Sequence, residues 1–222
     1  MNLFHLDENI DKNAEYHVDS HIVKMPTEAT QMLTTAIWVD KFLGFIPRKL
    51  TKEELGIINE IKAQEAAIHI DKRNITRFLP THPNHPCSIW VRSSNDNFDW
   101  TYNYVDALNS EYRYRYRRDV DHKSFEAARN LPLPQQLKSL GITERPICMP
   151  EEYIQPGDSV ASYRMYYMIE KADFAVWKRR EKPPWWNDKF VEYDFRDPHE
   201  AYLNTVKAPT NRGKPHSEDY VR

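Results

Sequence analysis

His17 and His21 stand four residues apart, and Lys24, Glu28 and Gln31 follow at three- and four-residue steps. On a helix this spacing stacks all five along one side. Two imidazoles four apart are a zinc-capable pair that needs a third ligand, for which His82, His85, Asp19 and Glu28 are candidates. Val18 follows His17, so the HExxH arrangement with its general-base glutamate is missing. The same stripe suits covalent catalysis. A lysine among other cations or apolar groups gives up its proton more easily and can attack a sugar or carbonyl carbon. Glu28 then acts as acid/base or stabilises a developing oxocarbenium charge. A third use is structural, with the histidines hydrogen-bonded along the helix and Lys24 in water.

Two further stretches carry chemistry. Thr81-His82-Pro83-Asn84-His85-Pro86-Cys87 places two histidines, an amide and a thiol in a proline-stiffened loop, and His85 is the first choice as partner of the helix stripe. The same residues also read as a helix start, with Asn84 as N-cap and Pro86 in the first turn. Cys87 reads as a small buried hydrophobe. Tyr112-Arg113-Tyr114-Arg115-Tyr116-Arg117-Arg118 pairs arginine forks, which bind phosphates bidentately, with rings that stack on unpaired bases. Read as a helix, it puts Arg115 and Arg118 on a face that His122 can join. Its alternative is a solvated basic face whose tyrosines pack partly into the core.

The elements that must position these groups are mainly helices. Leu3–Leu6 reads as a short strand ended by Asp7 and Asn9. Val18, Ile22, Met25, Ala29, Met32, Leu33 and Ala36 recur at helical spacing, and Pro26 inside that run predicts a kink or two abutting helices. Gly44 and Pro47 close the segment, and Thr51 with Glu54 forms a capping box for a helix to about Ala67. Phe98, Tyr102, Val105, Leu108 and Tyr112 share a helix face. Residues 130–158 are a proline-rich irregular connection, and Val160–Arg180 returns to helix with Tyr163, Tyr167, Phe174 and Trp177 as its seam. The expected fold is a compact, mainly α, single-domain helical bundle over residues 1–206, followed by a disordered tail at 207–222.

Composition sets outer bounds. A formal net charge of −2 rules out nucleic-acid binding by bulk charge, so any such contact needs a local patch. The two cysteines form no CxxC pair, which excludes a zinc ribbon and argues against a disulfide framework. No GxGxxG or P-loop motif occurs among the five glycines. No apolar run approaches the about 20 residues that span a bilayer, and the first residues do not resemble a signal peptide. A cytoplasmic protein without membrane contact is expected. Thirteen tyrosines and six tryptophans suit interfaces, base stacking and wet pockets.

Met1-Asn2-Leu3-Phe4 with Leu6-Asp7, then Tyr16-His17-x-Asp19-x-His21-x-Val23-Lys24-Met25 with Glu28 and Gln31, resembles a family of uncharacterised phage-encoded proteins. His82 with Asn84-His85-Pro86-Cys87 and Trp90, Asn97 with Trp100, and Glu111-Tyr112-x-Tyr114-Arg115-Tyr116 before His122-Lys123 extend that resemblance over most of residues 1–180. More remotely, the order of elements is similar to the pyrimidine-dimer DNA glycosylase/lyase family, in which an N-terminal amine and a glutamate cleave the glycosidic bond. That likeness implies Lys24 or the Met1 amine as nucleophile and Glu28 as the glutamate. Asn2 after Met1 is a poor context for removing the methionine, which departs from that family's pattern.

The expectation is therefore an enzyme acting on nucleic acid, DNA more than RNA. Lys24 is nucleophile or charge stabiliser and Glu28 acid/base, with His17, His21 and His85 shaping the pocket. Arg113, Arg115, Arg117 and Arg118 hold phosphates, while Tyr112, Tyr116 or Trp100 fills the gap left by a flipped base. No cofactor is expected; zinc at His17 and His21 is the weaker alternative. A transferase using a small donor to modify DNA bases, a metal-dependent hydrolase, and a non-catalytic protein that interferes with a host or defence factor are the rivals.

Overall fold

The computed structural model describes residues 1–68 and 78–187. It is mainly helical, with seven α-helices and two short 3-10 turns among the described residues: α1 Ile10–Glu15, α2 Asp19–Leu43, α3 Lys52–Ile68, α4 Pro86–Val91, α5 Asn95–Tyr116, α6 Lys123–Arg129 and α7 Ser159–Glu170. None of these helices is long and apolar enough to cross a membrane.

Helix α2 is the axis. The apolar stripe read from its sequence, Val18 through Ala36, is fully buried at Val18, Ile22, Met25, Ala29, Met32, Leu33 and Ala36. It packs on α5, α6 and α4, while α1 packs on α5. Pro26 leaves α2 continuous rather than dividing it into two helices. The proline costs one backbone hydrogen bond, and the surrounding core contacts hold the helix through it. Gly44 ends α2 with φ +88, a backbone that L side chains avoid, and its N–H donates back to the Val39 and Asp40 carbonyls.

The expected strand at Leu3–Leu6 does not form; no strand occurs among the described residues. Leu3, Phe4 and Leu6 are buried in the main core nevertheless. The Leu3 N–H and both backbone groups of Leu6 are met by side chains instead of a ladder partner. Leu6 N–H donates to Asn13 Oδ1 (2.6 Å), and Leu6 O accepts from Arg164 Nε (2.7 Å). The N-terminal segment thus threads between α2, α5 and α7 as an irregular core element.

Other boundaries differ by local chemistry. The Thr51/Glu54 capping box is present, with Thr51 N–H to Glu54 Oε2 at 2.7 Å and Glu54 N–H to Thr51 Oγ1 at 3.3 Å. The cap of α4 is His85, not Asn84. Asn84 is engaged with Leu50, accepting from its N–H (2.7 Å) and donating to its carbonyl (3.0 Å). Helix α7 stops at Glu170, ten residues before the expected end. Beyond it the chain caps the start of α2: Asp19 N–H donates to Val176 O (2.8 Å), and the Asp19 carboxylate accepts from Lys178 N–H (3.0 and 3.1 Å). Residues 130–158 form the irregular connection, pinned where Asp40 accepts the N–H groups of Gln135 and Gln136. The tail at 207–222 lies outside the described residues.

Candidate functional site

The five-residue stripe of α2 divides into a dry half and a wet half. His17 is fully buried and both ring nitrogens are used. Nδ1 donates to Asn13 O (2.6 Å), and Nε2 accepts from the Tyr104 hydroxyl (2.7 Å). His21 Nδ1 faces the Tyr167 hydroxyl at 2.7 Å, and that oxygen also accepts Val18 N–H. Phe4 stacks on the His21 ring at a centroid distance of 4.8 Å. Burial, helped by the neighbouring His21 and Arg115 charges, pushes the His17 pKa down to about 3. Burial, then Lys171 and Lys24, does the same for His21, also to about 3. His17 has no lone pair left for a metal, so the expected His17/His21 zinc pair is not what this geometry offers. Both rings are neutral posts of the aromatic core that carries the wet half.

Lys24 and Glu28 lie one and two turns further on, where α2 reaches the surface. Lys24 is 65 % exposed and its Nζ is 3.2 Å from Glu28 Oε1. The other carboxylate oxygen, Oε2, accepts the N–H of Asn2 at 2.9 Å and lies 3.8 Å from the Met1 α-amine. Glu28 therefore bridges two amines, one from its own helix and one from the chain start. Asn2 fixes that start: its Oδ1 accepts from the Tyr163 hydroxyl (2.7 Å) and its Nδ2 donates to Cys148 O (3.0 Å). An exposed, ion-paired lysine lacks the apolar surroundings that would activate it. Of the two amines, the Met1 nitrogen is the one placed by buried neighbours.

His85 is close enough to the chain start and to Glu28 to feel their charges. Its pKa is lowered by burial, then by the α-amine and His82, and pulled back up by Glu28. His85 Nδ1 accepts the N–H of Cys87 (3.2 Å). Beside it, Cys87 and Cys148 bring their sulfurs to 3.6 Å as free thiols. Cys87 is raised because its thiol donates to the Cys148 sulfur and because it is buried, and Cys148 is lowered by accepting that bond. The donor atoms of His85, Cys87 and Cys148 all lie within 4.8 Å of one another, a possible metal-binding group. Cys148 was not singled out from sequence; it lies 61 residues from Cys87 in an irregular connection, and only the fold brings it there.

The Tyr/Arg run is helical through Tyr116, and Arg117 closes α5 in the left-handed region at φ 50. Arg115 does not face solvent. Its side chain is fully buried, paired with Glu111 (2.8 Å) and Asp19 (3.1 Å), and it donates to the carbonyls of His17 and Glu15. The phosphate role expected for Arg115 is thus excluded by its burial. Tyr116 donates its hydroxyl to Asp19 O (3.0 Å), and Tyr112 packs edge-on against His122. Trp100 stacks on Tyr104 and carries the Arg145 guanidinium at 3.8 Å from its ring centre. Arg113, Arg117 and Arg118 are exposed, with Arg113 3.6 Å from Asp121. The later basic residues do come alongside: Arg179 and Arg180 flank the Tyr114 ring at 4.4 and 4.3 Å, and Lys178 lies 5.5 Å from the Tyr116 ring.

Compared with known proteins, the chain matches no protein-family model, no curated protein and no solved structure.

Proposed function

We propose that this protein is a nucleic-acid-acting enzyme of the glycosylase/lyase type, with DNA as substrate and the Met1 α-amine as its nucleophile. The observation that carries the reading is the shared carboxylate: Glu28 holds Asn2 N–H and the Met1 amine on one oxygen and Lys24 on the other. An amine beside a carboxylate can attack C1′ of a nucleotide while the bond to the base breaks and the base leaves with the bonding pair. Glu28 takes the proton the amine gives up and stabilises the positive charge that builds on the sugar. Opening of the sugar ring leaves an imine between C1′ and the amine, whose loss of a C2′ proton expels the 3′ phosphate. Lys24 orients Glu28 and offers its charge to a phosphate.

The exposed Arg113, Arg117, Arg118, Lys178 and Arg179 supply the local patch that a chain of net charge −2 requires. The reading is tested with duplexes carrying an abasic site, a damaged base or an undamaged control. Strand scission at the abasic site that disappears in Glu28→Gln supports it. Binding without scission on every duplex overturns the enzymatic part, and then the Tyr/Arg end is to be pursued as a protein or nucleic-acid contact.

A further inference from the structure

We propose that His85, Cys87 and Cys148 form a zinc site that fastens the irregular connection to the start of α4. Three borderline-soft donors converge within 4.8 Å, and two of them arrive from segments 61 residues apart. Zinc with bonds of about 2.3 Å to sulfur sets its tetrahedral ligands about 3.8 Å from one another. The sulfurs stand at 3.6 Å, close to that edge, whereas a disulfide requires an approach to about 2.05 Å.

The surroundings suit a metal. Cys148 is held by its main chain, its N–H reaching the Tyr163 hydroxyl (3.3 Å) and its carbonyl accepting from Asn2 Nδ2 (3.0 Å). His85 is held as the N-cap of α4, and the tautomer that accepts Cys87 N–H keeps its lone pair on Nδ1. One ring nitrogen of His85 lies within 4.8 Å of the sulfurs and is the third donor. Two thiolates cancel the charge of the dication, so the group closes without a residual charge beside the core. Thiolate and imidazole select zinc over calcium or magnesium, which prefer oxygen ligands. Cys148 is only half-buried, which leaves a fourth position for water.

This inference does not rest on the lyase reading, because metal content is read without substrate. The full chain is purified under reducing conditions without chelator, its zinc measured, and the ion exchanged for cobalt. About one metal per chain is expected, with the visible and near-ultraviolet bands of a tetrahedral thiolate cobalt centre. Cys148→Ser, at a half-buried position, retains the circular dichroism of the parent and loses both the zinc and the bands. Glu28→Gln keeps both. A protein that takes up neither zinc nor cobalt, or whose Cys148→Ser variant binds zinc as the parent does, overturns the proposal. So does a Cys87–Cys148 disulfide that forms in the presence of zinc.

Discussion

Removing Arg115 weakens the fold itself. Its guanidinium is fully buried and meets Glu111 Oε2, Asp19 Oδ1, His17 O and Glu15 O at 2.7 to 3.1 Å. Arg115→Ala strips two backbone carbonyls of their donor and leaves two acids with one cation fewer. Breaking a buried ion pair from one side costs about 3–5 kcal/mol. The acids retain partners here, since Glu111 keeps Arg180 at 2.6 Å and Asp19 keeps Lys178 N–H at 3.0 Å. The expected loss is therefore at the low end, about 3 kcal/mol, or a fall in Tm of about 6–12 °C for a domain of this size. Arg115→Lys keeps the charge but not the fork and should fall between the two. The assay is thermal and urea unfolding of both variants beside the parent. An Arg115→Ala protein with parental Tm and lowered DNA affinity would refute the burial argument and return Arg115 to the phosphate-binding surface.

Three other outcomes follow from the same geometry. The unfolded chain takes up protons on His5, His17 and His21 near pH 6.5, while burial holds all three at about 3 in the folded chain. Stability is thus full above about pH 6.5 and falls as pH drops towards 3, by at most about 4 kcal/mol per pH unit from the three together. Urea titrations between neutral and mildly acid pH check this, and a flat profile contradicts it. Glu28→Gln should lower strand scission on abasic DNA by about 100-fold or more with Tm nearly unchanged, whereas Lys24→Ala retains the covalent adduct; equal losses in both would speak against the division of roles. Replacing Arg113, Arg117 and Arg118 together by Ala should leave unfolding unchanged and reduce the slope of log affinity against log salt by about 2–3; an unchanged slope would remove that end of α5 from the interface.

Much of this was legible in sequence wherever a periodic apolar pattern decided the structure. The α2 stripe and the face of α5 follow from spacing that must bury one side of a helix, and the Thr51/Glu54 box from polar groups three residues apart at a helix start. The departures have long-range causes. Leu3–Leu6 has strand composition, but Asn13 and Arg164 meet the backbone of Leu6 from distant parts of the chain, where a strand would use a ladder partner. Helix α7 ends at Glu170, and residues 176–178 are engaged instead at the start of α2. Arg115 sits in a run that looks uniformly basic, and only the positions of Glu111 and Asp19 turn it inward. The stripe was legible as a set of residues but not as a division between buried His17 and His21 and surface Lys24 and Glu28. Cys148 carried no local signal, because its partners lie in another part of the chain.

The proposed attacking group is the Met1 amine. Borohydride reduction of the protein with abasic DNA, followed by peptide mapping of the adduct, addresses it directly. A sugar remnant is expected on the Met1 α-nitrogen, absent from a variant whose N-terminus is extended by a short Gly-Ser segment. An adduct on Lys24, or one that forms unchanged with the extended N-terminus, would contradict it.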